Sequence, residues 1–160
     1  MTRETNTAST TTDSRSRGVP QRNASVVFAV LVGLAALAVL LQGLWAGIFL
    51  QHDGHRDDAG SWIEVHALGG EVALALAALA TAWALWRLRA QPELWLGSLA
   101  LTVLLVLEAY LGGLISDDGK DSLTAVHVPL ALALMALAVW LPLRAAAPAT
   151  SPGRRRPPPA

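Results

Sequence analysis

Two histidines hold matching positions in this chain. His66 lies in "WIEVHALGG" and His127 in "SLTAVHVPLA", each about five residues inside an apolar run. Imidazole is a common metal ligand, and two at one depth invite a shared one. Haem iron is a centre that proteins hold through axial side chains. The chemistry these residues suit is therefore the binding of haem b between them, for electron transfer or haem handling. Two axial histidines leave no open iron position, which favours one-electron shuttling over oxygen chemistry. The sequence has no cysteine, so disulfides, iron–sulfur clusters and thiolate chemistry are excluded.

Other polar residues also interrupt the apolar runs. Glu71 and Glu108 are costly there, since a charged side chain at a bilayer centre carries a penalty of about 2.5–3.5 kcal/mol. Together with Gln42 they are expected as buried polar groups facing the protein interior, at depths where they approach one another. A protonated glutamic acid bonded to a neighbouring helix is the plainest role; proton uptake, or proton movement through both carboxyls in one hydrated cavity, is the functional one. Glu64 is two residues before His66, about 160° from it around a helix, and belongs at the interface. Arg56 and Lys120 stand among aspartates, where surface pairing contributes little; with a haem present they are its propionate partners. His52 and His55, beside Asp53 and Asp57, make only a loose divalent-ion set, and a solvated loop is the simpler reading.

Positioning such residues falls to four apolar runs, about 25–50, 62–88, 94–115 and 122–143, in a chain of 160 residues that is 53% hydrophobic. Each matches the roughly 20 residues that cross a hydrocarbon core about 30 Å thick. The expected fold is all-α: a transmembrane four-helix up-down-up-down bundle over residues 25–145. It is flanked by a Ser/Thr-rich tail, 1–24, and a Pro/Arg-rich tail, 146–160, neither able to bury enough apolar surface to order itself. A polar stretch before a full-length run is unlike a cleavable signal peptide, so the first helix is expected to stay. Formal net charge is +0, but Arg3, Arg15, Arg17 and Arg22, then Arg87 and Arg89, then Arg144 and Arg154 to Arg156 mark one side. By the positive-inside rule both termini are cytoplasmic, giving a multi-pass protein of the plasma membrane. The partners expected are the lipid bilayer and either a homodimer or a larger membrane redox complex, with no nucleic acid.

The chain also repeats itself. "QGLWAGIFLQHDGHR" from Gln42 matches "EAYLGGLISDDGK" from Glu108: a polar residue, a small one, two bulky ones, then a small residue and glycine. Each is followed by an acidic turn and a helix in which Val65-His66 answers Val126-His127. Two helical hairpins of the same orientation result, related by an axis along the membrane normal. At about 1.5 Å per residue both histidines lie about 7 Å below the boundary. In a square bundle with neighbouring axes 8–10 Å apart, the second and fourth helices face each other across a diagonal of roughly 13 Å. The other diagonal then needs room for the edges of a flat ring. Gly43, Ala46 and Gly47 on the first helix and Ala109, Gly112 and Gly113 on the third fall there. Gly69 and Gly70, three and four residues after His66, would let a ring plane approach its helix. Small residues at such spacing are equally a device for packing helices. A cofactor-free membrane subunit or assembly helper is accordingly the alternative to a haem protein. No residue pattern marks a stand-alone enzyme.

The segments "LEAYLGGLISDDGKDSLTAVHVPLALALMALAVWL" and "WIEVHALGGEVALALAALATAWALWR" resemble one four-helix half of haem A synthase over roughly residues 25–145. The resemblance implies a histidine pair on the second and fourth helices, at the positions of His66 and His127. The family has two halves, a glutamate three residues before the first histidine and an arginine directly after it, and many members carry an extracellular cysteine pair. Here there is one half, Glu64 is two residues before, Ala67 follows and cysteine is absent. What the resemblance implies is thus a haem-binding half rather than haem A synthesis by this chain alone. The chain is similar too to small four-helix membrane proteins of actinobacteria that share its Ala/Leu/Arg-rich composition.

Overall fold

The computed structural model describes residues 18–51 and 56–147. Helix α1 spans Gly18–Leu50, α2 Arg56–Arg87, α3 Pro92–Ser116 and α4 Thr124–Ala146, with one 3-10 turn, Asp121–Leu123, leading into α4. The fold is all-α, and no strand occurs among the described residues. Each helix holds a stretch long and apolar enough to cross a membrane: Arg22–Ile48, Gly60–Arg87, Pro92–Ser116 and, with the 3-10 turn, Asp121–Ala146. The chain is a multi-pass membrane protein by these four spans. Two boundaries differ from the sequence reading. α1 begins at Gly18 rather than near residue 25, and α2 at Arg56 rather than near 62. Polar residues thus continue both helices beyond their apolar runs. His52, His55 and the outermost tail residues lie outside the described residues.

Helix ends follow local chemistry. Pro92 opens α3 after Gln91, the position where a missing N–H costs least. The α2–α3 connection is tight, closed by Gln91 N–H to Leu88 O at 2.8 Å. The α3–α4 turn closes through Lys120 N–H to Leu114 O at 3.1 Å, with Gly119 at φ 66°, a left-handed conformation that glycine adopts without steric cost. Pro129 and Pro142 lie inside α4, and each removes one intrahelical hydrogen bond.

The four helices close a ring in which α1 packs on α2 and α4, and α3 packs on α2 and α4. α2 and α4 therefore occupy one diagonal, α1 and α3 the other. All four carry aliphatic side chains on both their inward and outward faces, so size more than polarity separates inside from outside. On α2 the buried stripe is alanine: Ala73, Ala77, Ala80 and Ala84. These let α1 approach closely through Phe28, Val32 and Ala35, the small-residue packing that membrane helices use. Leu94, Leu101 and Leu105 of α3 and Leu134, Ala138 and Leu141 of α4 complete the core.

Polar ties reinforce it. Thr81 Oγ1 lies 2.9 Å from both Ala77 O and Thr102 Oγ1, and Thr102 Oγ1 lies 3.0 Å from Ser98 O, so with one proton each, one hydroxyl donates across to the other and one to its own helix. Trp83 Nε1 donates to Ala24 O at 3.0 Å, pinning α2 to α1. Arg87 lies over the Trp83 and Trp86 rings, 5.8 and 5.1 Å from their centroids, and Arg144 pairs with Glu93. This is the arginine end of the bundle. At the opposite, histidine end, Trp45 and Trp62 stack with centroids 5.6 Å apart and planes 21° from parallel.

Candidate functional site

The core does not run the height of the bundle. Its buried residues stop at Val39 on α1, Ala73 on α2, Glu108 on α3 and Leu134 on α4. Toward the histidine end the stripes facing the interior continue through Gly43 and Ala46, His66 and Gly70, Gly112, His127 and Ala131. None of these is buried. Glycine and alanine make these stripes small-sided above the Glu108 level. His66 and His127 are the large polar residues there, half-buried on the two helices of one diagonal.

Each histidine is held by the residue that the repeat pairs with it. His66 Nδ1 donates to the backbone oxygen of Gln42 at 3.2 Å. A carbonyl oxygen only accepts, so Nδ1 carries the proton and Nε2 is the lone-pair nitrogen of the neutral ring. His127 Nδ1 lies 2.5 Å from Glu108 Oε2. That is hydrogen-bond distance without the alignment of a hydrogen bond, so both Glu108 oxygens and His127 Nδ1 remain without a directed partner. Gln42 Oε1 is likewise buried and unsatisfied, while its Nε2 donates to Ala38 O at 3.2 Å. Unpaired buried polar atoms are uncommon and costly, and here they gather at one level, on Gln42, Glu108 and His127.

The glycines divide by what surrounds them. A methyl added to Gly112 would sit 3.8 Å from His127 Cε1, so the α3 backbone lies directly against that ring. One added to Gly113 would meet Asp117 at 3.8 Å. Gly43, Gly47 and Gly70 have no atom within 4 Å of an added methyl. Gly69 differs from expectation. Its missing side chain makes room for the Gln42 amide, into which a methyl would collide, and not for a ring plane. Lys120 is exposed and lies 3.4 Å from Asp118, as a surface pair would; Arg56 begins α2.

Glu71 corrects the sequence reading most plainly. It is exposed on the outward face of α2, away from Glu108. The reason is angular: five residues after His66 corresponds to about 140° around a helix, so a histidine turned inward turns Glu71 out. Proton or ion movement through Glu71 and Glu108 in one cavity is thereby removed. Glu108 is buried and Gln42 half-buried, as expected of interior groups. The Thr81–Thr102–Ser98 ladder and the Trp83 anchor had no sequence reading; threonines and serine at i, i+4 spacing inside apolar runs are the signal available for the former.

Two surface clefts, one lined by Leu31, Leu79 and Trp83 and one by Arg22, Val26 and Ala145, lie toward the arginine end and are predominantly apolar. They are grooves of the kind acyl chains fill and contain no cluster of ligating groups. Compared with known protein families, with curated proteins and with solved structures, the chain matches none.

Proposed function

We propose that this multi-pass protein binds haem b at the histidine end of the bundle, with His66 and His127 as axial ligands, and serves one-electron transfer or haem handling. The observation that carries the reading is the pair of imidazoles on opposite helices above a closed core, each with Nδ1 against the other helix of its own hairpin. The donor set fits. Among the described residues no three of His, Cys, Asp or Glu gather as a bare ion would need, whereas a porphyrin brings four nitrogens and asks the protein for axial ligands. His66 presents Nε2 as its lone-pair atom, the usual outcome when a ligand histidine donates its other N–H to a carbonyl.

The remaining residues have definite parts in this reading. Gly43, Gly47 and Gly70 keep backbone surface open near the histidines, and Gln42, Glu108 and the closed core beneath would exclude water from one side. Arg56 and Lys120, which the sequence puts at the histidine end, would pair with the propionates. When bound, the group supplies a one-electron redox centre; the chain orients it and insulates it. Both termini lie in the cytoplasm and the membrane is the plasma membrane, by the arginine distribution.

Haem content of the full chain, purified in mild detergent from haem-replete cells, is the test. One haem per chain is expected, falling in His66→Ala and in His127→Ala. A folded, haem-free preparation overturns it and leaves a cofactor-free subunit in which the two Nδ1 contacts are only interhelical pins.

A further inference from the structure

The outward face of α2 differs from the other three in carrying a carboxyl group at mid-span. All four helices expose bulky aliphatic side chains, among them Leu40 at 60%, Leu68 at 61%, Val103 at 58% and Leu132 at 70% of their full areas, but on α2 most of these lie to one side. Along the centre of α2's outward face run Ala67, Glu71, Ala75, Ala78 and Ala82, all exposed and separated by three or four residues, so they form one stripe. Glu71 stands eleven residues after Gly60, where the span begins. That is about 16 Å along the axis, near the middle of a hydrocarbon core about 30 Å thick. It has neither a hydrogen bond nor an ion pair with any described residue. A carboxyl group there faces acyl chains that offer no hydrogen bond, a placement that membrane proteins avoid unless a partner supplies one.

We infer that a second copy of this chain covers the face, in a parallel two-fold dimer with Glu71 of each α2 at the axis. Three features select that occupant. A two-fold axis along the membrane normal brings each residue of the face to its own counterpart at identical depth. A protonated carboxylic acid is both donor and acceptor, so two of them satisfy each other where neither lysine nor arginine is at hand. The middles of α1, α3 and α4 turn no charged side chain outward, so no other surface of this chain answers Glu71. The alanines let the two α2 backbones approach closely enough for the short carboxyl side chains to meet. Seven residues nearer the histidine end, exposed Glu64 reaches the headgroup region, where water screens it from its counterpart. The dimer does not depend on haem, because the face lies on the far side of α2 from His66.

The absence of cysteine makes the test direct. Single-cysteine variants Ala67→Cys and Ala78→Cys, oxidised with copper phenanthroline in native membranes, are expected to form disulfide dimers, with Val103→Cys and Leu132→Cys remaining monomeric. In detergent, Glu71→Gln, whose amide also donates and accepts, keeps the dimer, while Glu71→Leu weakens association about tenfold or more by concentration-dependent cross-linking. Glu71 packs on no neighbour within the chain, so far-ultraviolet circular dichroism should be unchanged in both variants. Cross-linking at Val103 or Leu132 but not at Ala67 and Ala78 would overturn the inference. So would a monomer in native membranes, or a dimer equally strong with leucine at position 71, either leaving Glu71 to lipid or to a different protein.

Discussion

His127 Nδ1 lies 2.5 Å from Glu108 Oε2, at the level where the packed core of the bundle ends. The carboxyl group is buried at the top of the core and the imidazole is half-buried above it. Their contact is close, though neither carboxyl oxygen makes a hydrogen bond of good geometry.

Glu108→Leu separates stability from haem binding. Removing a buried group that lacks directed partners is expected to leave the haem-free chain as stable as before, or more stable by about 1–3 kcal/mol. Haem affinity is expected to fall on the order of 10- to 100-fold, since His127 loses the neighbour that orients it. Thermal unfolding in detergent and haem titration of the haem-free chain measure the two effects. A parallel loss in both would assign Glu108 to structure alone.

Gly69 and Gly70 are adjacent, yet they should respond oppositely to substitution. Gly69→Val displaces the Gln42 amide, whose hydrogen bond to Ala38 O is then at risk, at about 0.5–1.5 kcal/mol. Gly70→Ala meets nothing within 4 Å and should gain up to about 1 kcal/mol from helix propensity. Unfolding midpoints of the two variants side by side give the contrast.

The Thr81 and Thr102 hydroxyls meet at 2.9 Å between α2 and α3 inside the apolar span, a hydrogen bond whenever one of them turns its single proton from its own helix to the other. A double-mutant cycle with Thr81→Val and Thr102→Val should return a coupling of about 0.6 kcal/mol, and no more than about 1.7 kcal/mol, as interhelical hydrogen bonds in membranes do. Unfolding by a denaturing detergent measures it. A coupling near zero would mean that each hydroxyl is already satisfied by its own helix, through Ala77 O and Ser98 O.

Much of the architecture was legible in residue order because a bilayer imposes few alternatives. Four runs of sufficient length had to be helices, and the match of "QGLWAG" with "EAYLGG" set Gln42 and Glu108 at equivalent positions, though their contacts with His66 and His127 had no sequence reading. The facing directions were harder to read. Where leucine, valine and alanine surround a helix on all sides, periodicity has no polar face to point away from the core. The buried stripe of α2 is set instead by alanine size, and Gly69 by the amide it accommodates. Glu71 was misread although the angle from His66 was available in the numbering; the expectation that a carboxyl must turn inward overrode it. The helical starts at Gly18 and Arg56 lie in polar sequence where hydropathy carries no signal.

The most direct measurement is the optical spectrum of the full-length chain purified from haem-replete cells, recorded oxidised and reduced. The account predicts the reduced-minus-oxidised signal of a low-spin b-type cytochrome with two imidazole ligands, absent from both His66→Ala and His127→Ala. A folded chain with no such signal, or a signal that survives both substitutions, would contradict it.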